Sequence, residues 1–101
     1  MKYRIIVFQK AEEMLYKHLA FIANVSKEAS VKEKNRIIRS MRNLSEDPDI
    51  YPFLDEEFIP KNKYHKMVVD KRYMILYQIK DKTVYVDYII DTRQDYAWLI
   101  R

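Results

Sequence analysis

Four side chains in the C-terminal part of the chain have the types that RNA backbone cleavage uses: His65, Arg72, Arg93 and Tyr96. Such cleavage needs a base for the 2′-hydroxyl proton, cations for the charge that builds on phosphate, and an aromatic ring to stack a splayed base. His65 is the member whose ordinary pKa lies near neutrality, so it is the candidate base. Arg72 and Arg93 are the candidate phosphate clamps, and Tyr96 is a stacking or acid candidate. Each also has an ordinary reading. His65 and Arg72 are then plain outward-facing strand residues, and Arg93 is a structural ion-pair partner between Asp91 and Asp95. Further cations flank the set. Lys61, Lys63 and Lys66 lie around His65, and Arg36, Arg39 and Arg42 belong to an earlier basic run; both groups are candidates for holding RNA. The stretch 43–60 between them holds six acids and no Lys or Arg.

The composition removes many other chemistries. There are no cysteines, hence no disulfide framework and no thiolate metal site. There is no glycine, against an average of ~7%, which excludes the P-loop and the dinucleotide fingerprint. The two histidines, His18 and His65, fall in different elements, and no His/Asp/Glu spacing reads as a ligand set. No metal or other cofactor is therefore expected. His18 reads as a packing residue on the apolar side of a helix. The net charge is +4 over 101 residues, which suits an anionic partner and one small domain spanning 1–101. No run of about 18 apolar residues is present, and the N-terminus lacks a signal-peptide pattern. The expectation is a cytoplasmic protein without a membrane contact.

The elements that must position these residues follow from hydrophobic periodicity. Lys2–Phe8 reads as a strand. Gln9–Asn24 reads as a helix, with Ala11, Leu15 and Ile22 at helical spacing. A second helix ends near Leu44 and starts at Ser26 or at Ser30, where Ser30 and Glu33 have capping-box spacing. A long loop, Ser45–Pro60, contains all three prolines and anchors itself through Tyr51, Phe53 and Phe58. Three strands follow, Tyr64–Val69, Arg72–Lys80 and Thr83–Ile90, joined by two-residue turns at Asp70-Lys71 and Asp81-Lys82. That register pairs Val69 with Arg72, Tyr88 with Ile75 and Ile90 with Tyr73. Its core face collects Val68, Tyr73, Ile75, Tyr77, Ile79, Val84, Val86, Tyr88 and Ile90. The other face collects His65, Met67, Arg72, Met74, Leu76, Gln78, Tyr85 and Asp87, and two helices cannot cover it. The order β-α-α-β-β-β predicts an α+β fold: a small antiparallel sheet with a helical hairpin on one face.

This order of elements resembles the RelE/ParE superfamily of bacterial type II toxin–antitoxin toxins. The residues that carry the likeness are "YRIIVFQKAEEML" at Tyr3–Leu15, "YHKMVVDKRYMILYQIKDKTVYVDYIID" at Tyr64–Asp91 and "TRQDY" at Thr92–Tyr96. The resemblance implies a growth-inhibiting toxin held silent by a cognate antitoxin. A RelE-like member cuts mRNA on the ribosome without a metal; a ParE-like member inhibits DNA gyrase and is not a nuclease. A degenerate member would only bind its antitoxin. Following the RelE-like pattern, the chain would be a ribosome-dependent endoribonuclease with ribosome and mRNA as partners. Arg93 matches that family's arginine after the last strand. Met74 stands where RelE-like nucleases usually carry arginine, and His65 and Met67 stand where they carry lysines. Arg72 would then substitute from about one strand step (~6.5 Å) away. The oligomeric state is left open.

Overall fold

In the computed structural model, residues 2–57 and 59–92 are described. Arg93 and Tyr96, and the loop anchor Phe58, lie outside them.

The helical hairpin forms where periodicity placed it. Strand β1 (Arg4–Val7) leads directly into α1 (Gln9–Ala23). Ala11, Leu15 and Leu19 form the buried stripe of α1, and Glu12 lies in its first turn, where the helix dipole favours an acid. The second helix, α2 (Lys27–Asn43), starts at the earlier of the two expected caps. The Ser26 hydroxyl accepts a hydrogen bond from the Ala29 N–H at 3.1 Å. Ser30 is used differently: its hydroxyl donates to the Leu19 carbonyl at 2.8 Å and ties the two helices together. Ile37, Met41 and Leu44 carry the buried side of α2.

Strands β2 (His65–Val69), β3 (Tyr73–Lys80) and β4 (Thr83–Asp91) form an antiparallel meander. β1 joins β4 in parallel, so the sheet is mixed, with order β1-β4-β3-β2. The α+β architecture with a helical hairpin on one face is as expected.

Two irregularities change which residues share a face. The first is the β2–β3 turn. Asp70 and Lys71 both adopt left-handed backbone, with φ of 54° and 59°. The Arg72 N–H still bonds the Val69 carbonyl at 3.1 Å, but the Arg72 carbonyl accepts from the Thr92 N–H at 2.8 Å. The Thr92 hydroxyl also bonds the Lys71 and Arg72 carbonyls. Arg72 thus leaves the ladder, and Val69 pairs with Tyr73 in place of Arg72. A one-residue slip reverses every side chain of β2. Met67, Val69 and His65 therefore lie with Ile75, Tyr73 and Tyr77 on the helix side, while Val68 and Lys66 face away. The second irregularity is a bulge in β4. Tyr77 pairs with Val86 and Leu76 with Tyr88, which leaves Asp87 as the extra residue. Beyond it the alternation inverts. Tyr88 and Ile90 leave the expected core face, and Ile89 replaces them beneath the helices.

The chain consequently has two apolar clusters. The main core lies between the helices and the sheet, around Ile37, Tyr73, Ile75, Tyr77, Val84 and Val86. The other face, expected to be open, carries Leu54, Ile59, Tyr64, Met74, Leu76 and Ile90, all buried. Leu54 and Ile59 come from the proline-containing loop, which covers what the helices cannot reach. The loop opens with a short 3-10 turn (Pro48–Ile50) and then runs along the outer edge of β2. There the Lys66 N–H bonds the Pro52 carbonyl at 2.8 Å, the Leu54 N–H bonds the Tyr64 carbonyl at 2.7 Å, and Phe53 bridges to His65.

Candidate functional site

His65 is buried, held by three groups. Its Nδ1 lies 2.8 Å from the Tyr51 carbonyl, which can only accept, so Nδ1 carries the proton in that bond. Its ring packs between Phe53, at 4.2 Å between centroids, and Tyr77, at 5.2 Å. Tyr77 in turn donates its hydroxyl to the Pro48 carbonyl at 2.7 Å. Burial, the largest cause, pushes the Tyr77 phenol well above its ordinary pKa. His65 and Tyr77 together hold the 48–53 segment against the edge of the sheet.

Arg72 is exposed in the turn at the far end of β2. From His65 to Val69 is four strand steps, roughly 13 Å at ~3.3 Å each. The two residues therefore do not meet on one open face. Met67 and Met74 are both buried, on opposite faces of the sheet. The expected grouping of His65, Met67, Arg72 and Met74 on one surface is thus corrected by the three-residue connection at 70–72.

The other cations divide into used and open. Arg36 is committed to structure: its Nη1 donates to Asp70 at 2.8 Å and lies 3.5 Å from Glu33. The hydrogen bond to Asp70 is the main reason its pKa is raised. This pair fastens α2 to the β2–β3 turn. Arg39 and Arg42 remain exposed on α2, and Lys61 is exposed in the loop. Lys63 lies 5.2 Å over the Tyr64 ring. Lys66 lies on the face turned away from the helices. On that face Tyr64 packs edge-on against Tyr88, and Gln78 donates to Asp87 at 2.7 Å. Burial first, and the Asp87 carboxylate second, push the Tyr64 phenol up to about 12.

A polar cluster that sequence reasoning missed lies at the opposite end of the sheet. His18 of α1 sets its ring edge-on to Tyr73 at 5.1 Å, and its Nε2 lies 3.8 Å from the Asp91 carboxylate. That distance is too long for a hydrogen bond. Glu33 of α2 is near enough to bear on the Tyr73 phenol, whose pKa burial raises and Arg72 lowers. His18 Nε2, Glu33 Oε2 and the Tyr73 hydroxyl are buried without a hydrogen-bond partner. His18 was legible only as a packing residue, because Asp91 turns toward it only once the Asp87 bulge has inverted the strand. Among the described residues no set of three His, Cys, Asp or Glu side chains could hold a metal ion. Nor is any described helix long and apolar enough to cross a membrane.

Comparison with known proteins agrees with this architecture. The family model described as the ParE toxin of type II toxin–antitoxin systems, parDE, matches residues 5–96. No curated protein matches the sequence. Among solved structures, the chain superposes on one from a chromosomal ParDE toxin–antitoxin system of P. aeruginosa with a TM-score of 0.73. The identity is 13%, over 89% of this chain and 96% of that one, so the likeness is one of fold.

Proposed function

Because the chain belongs to the ParE toxin family of type II toxin–antitoxin systems, we propose that it is a toxin acting on DNA gyrase as a binding inhibitor, kept silent by a cognate antitoxin in the cytoplasm. The observation that carries this over the nuclease reading is the state of His65. A general base must reach its substrate's proton. The His65 ring lies between Phe53 and Tyr77 with Nδ1 bonded to the Tyr51 carbonyl, and Arg72 lies at the other end of β2. Met74, where the nuclease pattern has a cation, is buried. A ribosome-dependent endoribonuclease would have to assemble its charge around Arg72, Arg93 and Tyr96 without that histidine.

Purified protein added to gyrase should block supercoiling of relaxed plasmid, and its expression should induce the DNA-damage response while mRNA stays intact. Unchanged supercoiling, together with mRNA cut inside codons on translating ribosomes, would overturn the gyrase reading in favour of the nuclease. No growth defect on expression would point to the antitoxin-binding member instead.

A further inference from the structure

The two halves of α2 differ on their solvent side. The first half mixes signs, as a solvated helix face ordinarily does: Lys27, Glu28 and Lys32 are exposed, and Lys32 lies 3.6 Å from Glu28. Between residues 35 and 43 every exposed side chain is Asn or Arg: Asn35, Arg36, Arg39, Arg42 and Asn43. Beneath them Ile37 and Met41 are buried, and Ile38 packs against the core. The arginines follow at three-residue spacing, so each is the helical neighbour of the next. Like charges at that spacing destabilise a helix. Arg39 and Arg42 therefore bring each other no support, although Arg42 suits the negative end of the helix dipole.

The described carboxylates nearest this face are already engaged. Glu33 and the exposed Asp70 share the Arg36 guanidinium, and Glu46 lies 3.5 Å from Lys2. Asp47 and Asp49 are exposed past the C-terminal end of the helix and set the limit of the face on that side. Among the described residues no carboxylate pairs with Arg39 or Arg42. Residues 93–101 contain two Arg and one Asp, so their side chains bring no net negative charge wherever they lie. Arginine grips phosphate with a planar fork, and asparagine both donates and accepts, toward phosphate, sugar or base edge. A helix enters the major groove of B-form DNA, whereas side chains cannot read the narrow A-form groove of RNA. From Asn35 to Asn43 the helix rises roughly 12 Å, about the width of the B-form groove.

We propose that the 35–43 face of α2 binds duplex DNA, with Arg39 and Arg42 on phosphates and Asn35, Arg36 and Asn43 beside them. The sequence offered these arginines as holders of RNA; the helical form of the face favours the B-form duplex. The face gives the toxin a second hold, on the DNA that its target carries, and this last step rests on the gyrase reading. The binding itself does not rest on it, because it is measured without gyrase.

The test uses the full chain and a fluorescein-labelled DNA duplex of about 20 base pairs, read by anisotropy across a salt series. Binding should weaken about tenfold between 50 and 200 mM salt, the loss expected when two phosphates are neutralised. Arg39→Gln and Arg42→Gln should each lower the slope of log affinity against log salt by about one. Lys80→Gln removes the same charge from an exposed position at the end of β3, and should leave slope and affinity within about twofold of wild type. An RNA duplex of the same sequence should bind more weakly. Equal effects of all three substitutions would reduce the binding to net charge and overturn the proposal. So would a slope that neither arginine moves, or no binding at 50 mM salt. Tighter binding of the RNA duplex would overturn the assignment to DNA. Supercoiling left unchanged while DNA binding holds would remove the gyrase reading and keep the face; inhibition without DNA binding would do the reverse.

Discussion

The two histidines sit at opposite ends of one sheet and are treated in opposite ways. His65 is bonded, sandwiched and sealed by a loop; His18 keeps a buried nitrogen without a hydrogen bond, on the wall of an open pocket. A satisfied polar group fixes structure, whereas an unsatisfied one leaves something for a neighbour to do. In this fold the residue that looked chemical is a fastener, and the residue that looked like packing borders the unfilled surface.

The contrast can be broken most directly at His65. His65→Ala removes a buried ring and the donor to Tyr51, and should lower unfolding stability by roughly 3 kcal/mol in urea titration. His18→Phe, by contrast, should stay within about 1 kcal/mol of wild type, because it gives up no hydrogen bond from Nε2. Equal losses at the two sites would end the distinction. Tyr77→Phe tests the same fastener from beneath. It leaves the Pro48 carbonyl without its donor and should cost about 1–2 kcal/mol, with faster proteolysis in the 48–57 segment.

A third measurement moves to the loop-covered face. The folded-state pKa of Tyr64, raised to about 12, lies above its unfolded value of 10.0. The folded state therefore holds the phenolic proton more tightly, so this contribution is complete below pH 10 and is lost as pH rises toward 12. Stability should fall along that limb, and Tyr64→Phe should flatten it; an unchanged slope would show that the phenol is not the group responsible. The smallest effect is expected in the β2–β3 turn. Lys71 holds φ of 59°, which disfavours a side chain by about 1–2 kcal/mol, while glycine loses about 0.5–1 kcal/mol in chain entropy. Lys71→Gly should then stabilise the fold by roughly 0.5 kcal/mol, seen as a small rise in Tm.

The helices and the last hairpin up to Val86 were legible because their patterns were unambiguous. Apolar residues recur at helical spacing in α1 and α2, and the strands around Asp81 alternate cleanly. Legibility stopped where apolar residues run together. Met67-Val68-Val69 has no polar residue to say which side faces the core, so the slip around Arg72 left no trace in the pattern. Tyr88-Ile89-Ile90 hides the Asp87 bulge in the same way, because both faces there are apolar and both are buried. The candidate site inherited the error, since the side on which His65 lies depends on a single residue in a turn. Arg93 and Tyr96 fall outside the described residues, so their geometry adds nothing to the site.

The edge of β2 has one further consequence. The chain's own 52–54 segment occupies it, with two backbone hydrogen bonds and a bridge at Phe53. A sheet grows into a fibre only if both its rims accept strands. Here the β2 rim is closed from within, so strands cannot keep adding through it. The proline-containing loop is thereby a guard against growth of the sheet at this rim as well as a cover for its outer face.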